Sequence, residues 1–159
     1  EDDHRQHQGP ESVFENQQFV GDAPIVIVAC GSSIYAALVG KYMIESLAGL
    51  PVEVDIASEF RYREPPITPG TVALFVSQSG ETADTLAALR YMAGKADRIV
   101  SVVNVPESSI ARESDLALPI HAGVEIGVRH LDARLRHFET LVAFDLELRL
   151  HAHGHGQHR

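Results

Sequence analysis

A single cysteine, Cys30, stands in a chain of 159 residues. One thiol can neither close an internal disulfide nor build a cysteine-rich metal cluster, and a reducing, cytoplasmic setting is the expectation that follows. Basic residues are also scarce, with 13 Lys and Arg against 22 Asp and Glu and a formal charge of −9. Nucleic acid and anionic membrane surfaces both need concentrated Lys and Arg, so neither is an expected partner. Long apolar runs are missing. The stretch Ile25 to Cys30 is far too short to span a bilayer. The polar, mixed-charge residues 1–10 lack the basic start and apolar stretch of a secretory signal.

What is present is an ordinary globular composition, 45% hydrophobic and 22% charged, in a length suited to one domain with a core. Residues 1–22 read as a lead-in, with Phe14 and Phe19 as anchors on the body. The run Ile25-Val26-Ile27-Val28-Ala29 is β-branched and continuously apolar, which predicts a strand buried on both faces. Cys30-Gly31-Ser32-Ser33 breaks it, and a helix marked by Ile34, Leu38 and Tyr42 runs on until Gly49 and Pro51. Val52 to Ile56 alternates with period two, as near a sheet edge. After the turn-rich Pro65, Pro66, Pro69 and Gly70, Val72 to Val76 is another buried strand, followed by a helix from about Thr82 to Met92. Ile99 to Val103 and Leu116 to Ile120 complete the set, the last with Pro119 suited to an edge or a strand end. This alternation predicts an α/β, three-layer fold: a five-stranded parallel sheet flanked by helices, in the flavodoxin-like order.

In such sheets ligands bind beyond the carboxyl ends of the strands, where the winding reverses. That places the loops Cys30–Ser33 and Ser77–Thr82 side by side. The second loop, Ser77-Gln78-Ser79-Gly80-Glu81-Thr82, joins hydroxyl donors to a helix start, whose free amides and positive dipole end suit a phosphate. Gly80 allows a tight turn with no Cβ in the way. Two plainer readings compete: Ser79 and Thr82 as simple helix caps, and Ser32 and Ser33 as caps of the first helix. Glu81 beside a phosphate is repulsive unless it points away or helps a cap. Cys30 reads as a buried thiol at a strand end rather than a nucleophile, since no paired histidine is near it in sequence.

These segments resemble a known family. Ala29-Cys30-Gly31-Ser32-Ser33 is similar to the first-strand motif of SIS (sugar isomerase) domains, and Ser77 to Thr85 to their signature loop. Glu45 to Pro51, Ala57 to Arg63, Asn104-Val105-Pro106, Arg112 to Asp115 and Glu125 to Val128 are more particular. In that order they resemble the first of two SIS subdomains in the glutamine–fructose-6-phosphate aminotransferase (isomerizing) family, the glucosamine-6-phosphate synthases. The resemblance covers roughly residues 25–128 and sets a SIS domain over 23–128. It implies that Ser77, Gln78, Ser79 and Thr82 bind a sugar phosphate of the fructose 6-phosphate or glucosamine 6-phosphate class. It also implies that Cys30, Gly31, Ser32 and Ser33 line the sugar pocket, that Val128 adds backbone contacts, and that the protein works as a homodimer. No cofactor and no metal are implied.

The departures are equally specific. The sequence has no amino-terminal cysteine nucleophile, no glutaminase domain and no second SIS subdomain, where the family keeps its Glu, His and Lys for ring opening and isomerisation. No catalytic residue is therefore assigned. Past Val128 the family continues Ala-Ser-Thr-Lys-Ala-Phe-Thr, whereas this chain reads Arg129-His130-Leu131-Asp132-Ala133-Arg134-Leu135, with His130 in place of a sugar-contacting serine. Read one base later, codons for Arg129 to Phe138 can encode Ala-Thr-Ser-Thr-His-Ala-Phe; the coding DNA decides whether the frame has shifted. Leu131, Leu135, Phe138, Leu141 and Val142 keep helical spacing, predicting a helix within 129–150. His151, His153, His155 and His158 in 151–159 read as a solvated tail rather than a metal site. His121 and His130 read as incidental surface residues rather than general bases. Three functions stay open: a sugar-phosphate-binding partial isomerase half, a self-contained SIS isomerase acting as an oligomer, and a sugar-phosphate-sensing regulatory module.

Overall fold

The computed structural model describes residues 24–120. Five strands, β1 (Ile25–Ala29), β2 (Val52–Ile56), β3 (Val72–Ser77), β4 (Arg98–Val103) and β5 (Leu116–Pro119), form one sheet in the order β2-β1-β3-β4-β5. Every pairing is parallel, as the alternating pattern predicts. Four helices make the crossovers: α1 (Ser33–Ala48), α2 (Ala57–Arg63), α3 (Ala83–Met92) and α4 (Ser109–Glu113). The expected lead-in (1–22), Val128, the segment 129–150 and the tail 151–159 lie outside the described residues, as do His121 and His130.

The two faces of the sheet carry separate cores, because side chains alternate along each strand. Ile25, Ile27 and Ala29 of β1 join Leu74, Val76, Val100 and Val102 on one face, under Ala37 and Ile44 of α1. Val26, Val28, Phe75 and Val103 face the other way, against Phe60 of α2, Leu89 and Met92 of α3 and Ile110 of α4. β1 and β3 are buried at every position. β2 lies at the sheet edge, as its alternation foretells, with Glu53 exposed; Ile56, on the apolar side of that alternation, is exposed as well.

Three points differ from the reading of the sequence. The face of α1 turned to the sheet is Ala36, Ala37, Gly40 and Ile44, while Leu38 is exposed and Tyr42 is 67% exposed. Small residues let the helix approach the strands closely, so size rather than hydrophobicity selects that face. Helices α2 and α4 are the other two, since the sequence pattern predicts neither. Both are short, with seven and five residues, below the length at which periodicity can be read.

Several family-like segments prove to be structural ties. Gly49 closes α1 in the left-handed conformation (φ 69°), its N–H donating to Glu45 O. Glu45 Oε1 in turn accepts from Val52 N and pairs with Lys41 at 3.1 Å, which holds its carboxyl below the ordinary glutamate range. Arg63 pairs with Asp55 on the open edge of β2. Arg90 of α3 grips Glu113 of α4 through two hydrogen bonds, 2.8 and 2.6 Å. Asp115 Oδ2 accepts from Ile99 N at 2.7 Å, aligning β5 with β4.

Candidate functional site

β1 and β3 are neighbours, with Ala29 registered against Val76. The loops that leave their carboxyl ends, Cys30–Ser33 and Ser77–Thr82, therefore start side by side at the reversal of winding, where the sheet rule puts a ligand. Cys30 is half-buried rather than buried, packed against the second core. Gly31 turns the chain at φ 58°. Ser32 precedes α1 without its hydroxyl capping the helix, and both Gly31 and Ser32 are exposed. Ser32 is thus not spent on the cap that competed with ligand binding.

The Ser77–Thr82 loop is a small hydrogen-bonded ring. Ser77, only 2% exposed, accepts Gly80 N–H on Oγ at 3.1 Å and shares a 3.1 Å hydrogen bond with Thr82 Oγ1. Ser79 Oγ accepts from Glu81 N at 3.2 Å. A hydroxyl that accepts from an amide keeps its own proton to donate outward. The Ser79 hydroxyl and one of the Ser77–Thr82 pair are thus left as donors. Thr82 heads α3, yet no side chain among the described residues caps that helix, so its first amides remain donors for an anion. The helix-cap reading of Ser79 and Thr82 does not hold: their hydroxyls serve the loop.

One buried polar atom of the loop adds to this. Gln78 Oε1 has no hydrogen-bond partner among the described residues. An unpaired buried polar atom costs about 1–3 kcal/mol, so a ligand that pairs with it offsets that cost. The Gln78 amide can present either its oxygen or its NH2 by a flip.

Gly80 and Glu81 connect the ring to α4. Gly80 sits at φ 65°, and a Cβ there would overlap Ser108 Oγ and Cβ. Ile110 N donates to Gly80 O at 3.0 Å. Glu81 is the residue whose role the sequence left unsettled. Its Oε1 accepts from Ser109 N, the first residue of α4, at 2.7 Å. Hydrogen bonds from the Ser109 backbone and side chain, outweighing desolvation and aided by Arg112, hold its carboxyl below the ordinary range. Glu81 points away from the ring and caps a neighbour. Ser108, 1% exposed, caps the same helix by accepting from Ala111 N. A serine two residues after Pro106 was the available signal for this turn.

The set of groups is one for holding an anion with neutral donors. Neither loop contains lysine, arginine or histidine. Among the described residues no group of three His, Cys, Asp or Glu is placed to hold a metal ion. No helix there is long and apolar enough to cross a membrane. A cavity of about 240 Å³ does open between Pro24, Pro51, Ile67 and Thr71. It lies at the amino ends of the strands, and Glu45 and Glu53 on its wall would repel an anion.

Fold and loop together define a sugar-isomerase-type domain: the SIS domain family model matches residues 21–144, and the chain belongs to that family. Within it, the chain is 61% identical over 104 residues to the glutamine–fructose-6-phosphate aminotransferase (isomerizing) of Zymomonas mobilis, covering 65% of this chain and 17% of that protein. It is 55% identical over 119 residues to the enzyme of the same name from Caulobacter vibrioides, covering 75% and 20%. The chain thus spans about a fifth of the length of these curated relatives. Among solved structures, the C-terminal domain of glucosamine-fructose-6-phosphate aminotransferase from Francisella tularensis superposes with a TM-score of 0.81 at 40% identity, covering 90% of this chain and 39% of that one. A putative phosphosugar isomerase from Silicibacter pomeroyi shares the fold, with a TM-score of 0.67 at 28% identity, covering 85% and 40%.

Proposed function

We propose that this chain binds a phosphorylated sugar of the fructose 6-phosphate or glucosamine 6-phosphate class, as part of the isomerase half of a glucosamine-6-phosphate synthase-like protein in amino-sugar metabolism. The observation that carries the reading is the ring at Ser77–Thr82: Ser77 and Ser79 accept from backbone amides, which leaves the Ser79 hydroxyl and one of the Ser77–Thr82 pair as donors to a ligand. In this reading Ser77, Gln78, Ser79 and Thr82 hold the phosphate, and Cys30, Gly31, Ser32 and Ser33 line the sugar side, with Val128 completing it. The SIS unit is residues 23–128, and it works in the cytoplasm as a homodimer. The names of the relatives support the substrate class.

The chemistry of the site favours binding over turnover. Moving a proton between adjacent sugar carbons needs a base within hydrogen-bond reach. No histidine falls within residues 24–120, and the one carboxylate of the phosphate loop is committed to α4. Proton transfer on the bound sugar is a task for groups beyond these two loops.

A thermal-shift series on the full chain tests the reading. At a concentration about ten times Kd, a ligand of the folded state stabilises it by about 1.4 kcal/mol, a rise in Tm of roughly 3–6 °C for a chain of this size. Fructose 6-phosphate and glucosamine 6-phosphate are expected to produce it, with inorganic phosphate weaker at equal concentration. The Ser79→Ala, Thr82→Ala double variant is expected to lose the shift. A variant that is stabilised as much as the parent chain removes the cradle assignment.

A further inference from the structure

We infer that Glu81 is a positioning residue for the phosphate loop, acting through its hydrogen bond to the amino end of α4. The inference rests on the proposed cradle and assigns the support that keeps its donors aimed. Glu81 Oε1 takes the Ser109 N–H at 2.7 Å, Gly80 O takes the Ile110 N–H at 3.0 Å, and Gly80 lies directly against Ser108. Three consecutive residues of α4 and its cap thus meet two consecutive residues of the loop. α4 is itself fixed to α3 by the paired hydrogen bonds between Glu113 and Arg90. The loop is clamped between the helix it begins and the helix it caps.

The position of Glu81 makes this more than a surface contact. It lies between Ser79 and Thr82, and its own N–H is the donor that turns the Ser79 hydroxyl outward. A free carboxylate here would repel a phosphate dianion and could compete for the same hydroxyls. Bound to Ser109, which also accepts from the Arg112 guanidinium on Oγ at 3.1 Å, the carboxylate is engaged by α4 rather than by the cradle. A site that binds an anion without basic residues has a specific need for this, since no lysine or arginine of the loops offsets a nearby negative charge.

Two effects of Glu81 therefore oppose each other, and the variants separate them. If the residue mattered only as a charge, Glu81→Ala and Glu81→Gln would bind phosphate esters equally, both tighter than the parent. If it positions the loop, Glu81→Gln keeps an oxygen for the Ser109 N–H and binds at least as well as the parent. Glu81→Ala then binds about tenfold more weakly, the size of one lost hydrogen bond within the clamp. Ser109→Pro breaks the same bond from the other side. Proline is tolerated at the first position of a helix, and Ser108 already has the extended backbone (φ −69°, ψ 161°) that a following proline requires.

The experiment is calorimetric titration of the full chain and the three variants with fructose 6-phosphate and with inorganic phosphate. Weakening in Glu81→Ala and Ser109→Pro, with recovery in Glu81→Gln, supports the assignment. Affinity in Glu81→Ala equal to or above the parent's overturns it, even where its Tm has fallen, because a purely structural contact moves stability alone. A parent chain that binds neither probe overturns the cradle itself, and the positioning role falls with it.

Discussion

Gly80→Ala is expected to destabilise the chain by about 2–5 kcal/mol and to abolish phosphate-ester binding. Two costs combine. The left-handed conformation at φ 65° penalises any residue with a Cβ by roughly 1–2 kcal/mol. The new methyl also meets Ser108 Oγ and Cβ, with Val103 Cγ1 at 3.5 Å behind them, and overpacking of this kind costs about 1–3 kcal/mol. Ser108 cannot swing aside, since it is buried and its hydroxyl caps α4 by accepting from Ala111 N. The strain must be relieved by moving the loop, which breaks the Gly80 N–H bond to Ser77 Oγ and scatters the donors. Gly94→Ala supplies the control. Gly94 has φ 77° but nothing within 4 Å of an added Cβ, so only the first cost applies, roughly 1–2 kcal/mol, and binding persists. Denaturant unfolding of both variants, with ligand titration, measures the difference. Equal losses in the two would mean that Gly80 is needed for its φ alone and that Ser108 does not press on the loop.

The contrast between those two glycines shows where sequence reading stops. A glycine between Ser79 and Glu81 at the end of a buried strand suggests a tight turn, and the turn is there. That the missing Cβ also makes room for Ser108, 28 positions later, depends on tertiary approach and has no local trace. Glu81 repeats the lesson, since its partner Ser109 is equally distant in sequence. The strands were legible because parallel strands covered on both faces must be continuous apolar runs. Their order was read as the flavodoxin-like one for five strands, with the first beside the third, and the one alternating strand, β2, does lie at the edge. The sheet-facing side of α1 was not legible from its large apolar residues. Tyr35, Leu38, Val39 and Tyr42 are all exposed while Ala36, Ala37 and Gly40 are buried. The rule for ligands at parallel sheets and the run of small polar residues located the loops, and the resemblance to a family implied their roles, but their hydrogen-bonding states, which decide between capping and ligand binding, emerge only from the folded loop.

Phe60→Ala is expected to cost about 3–5 kcal/mol in stability while leaving ligand affinity nearly unchanged at temperatures where the variant is folded. Phe60 lies on α2, a seven-residue helix that no periodicity announced, and is 1% exposed. Its ring meets Tyr91 edge-on, with centroids 5.9 Å apart and planes at 89°. Lys95 Nζ stands 3.2 Å from the centroid of the Tyr91 ring. A helix this short has little stability of its own, so α2 depends on its buried residues, Phe60 and Ala57, with the Arg63–Asp55 pair at its end. Truncation leaves a cavity between α2 and α3 that the sheet, already close-packed, cannot fill. The cradle should survive because Tyr91 sits eight residues along α3 from Ala83, about 12 Å at the helical rise, and the loop is tied to β4 and α4 rather than to α2. A double-mutant cycle with Tyr91→Ala should return a coupling of about 0.5–1.5 kcal/mol for the ring pair. A Phe60→Ala variant that loses less than about 1 kcal/mol would take α2 out of the core. A variant that loses affinity in proportion to stability would mean that the phosphate loop and α2 unfold as one unit, contrary to the clamp drawn between α3 and α4.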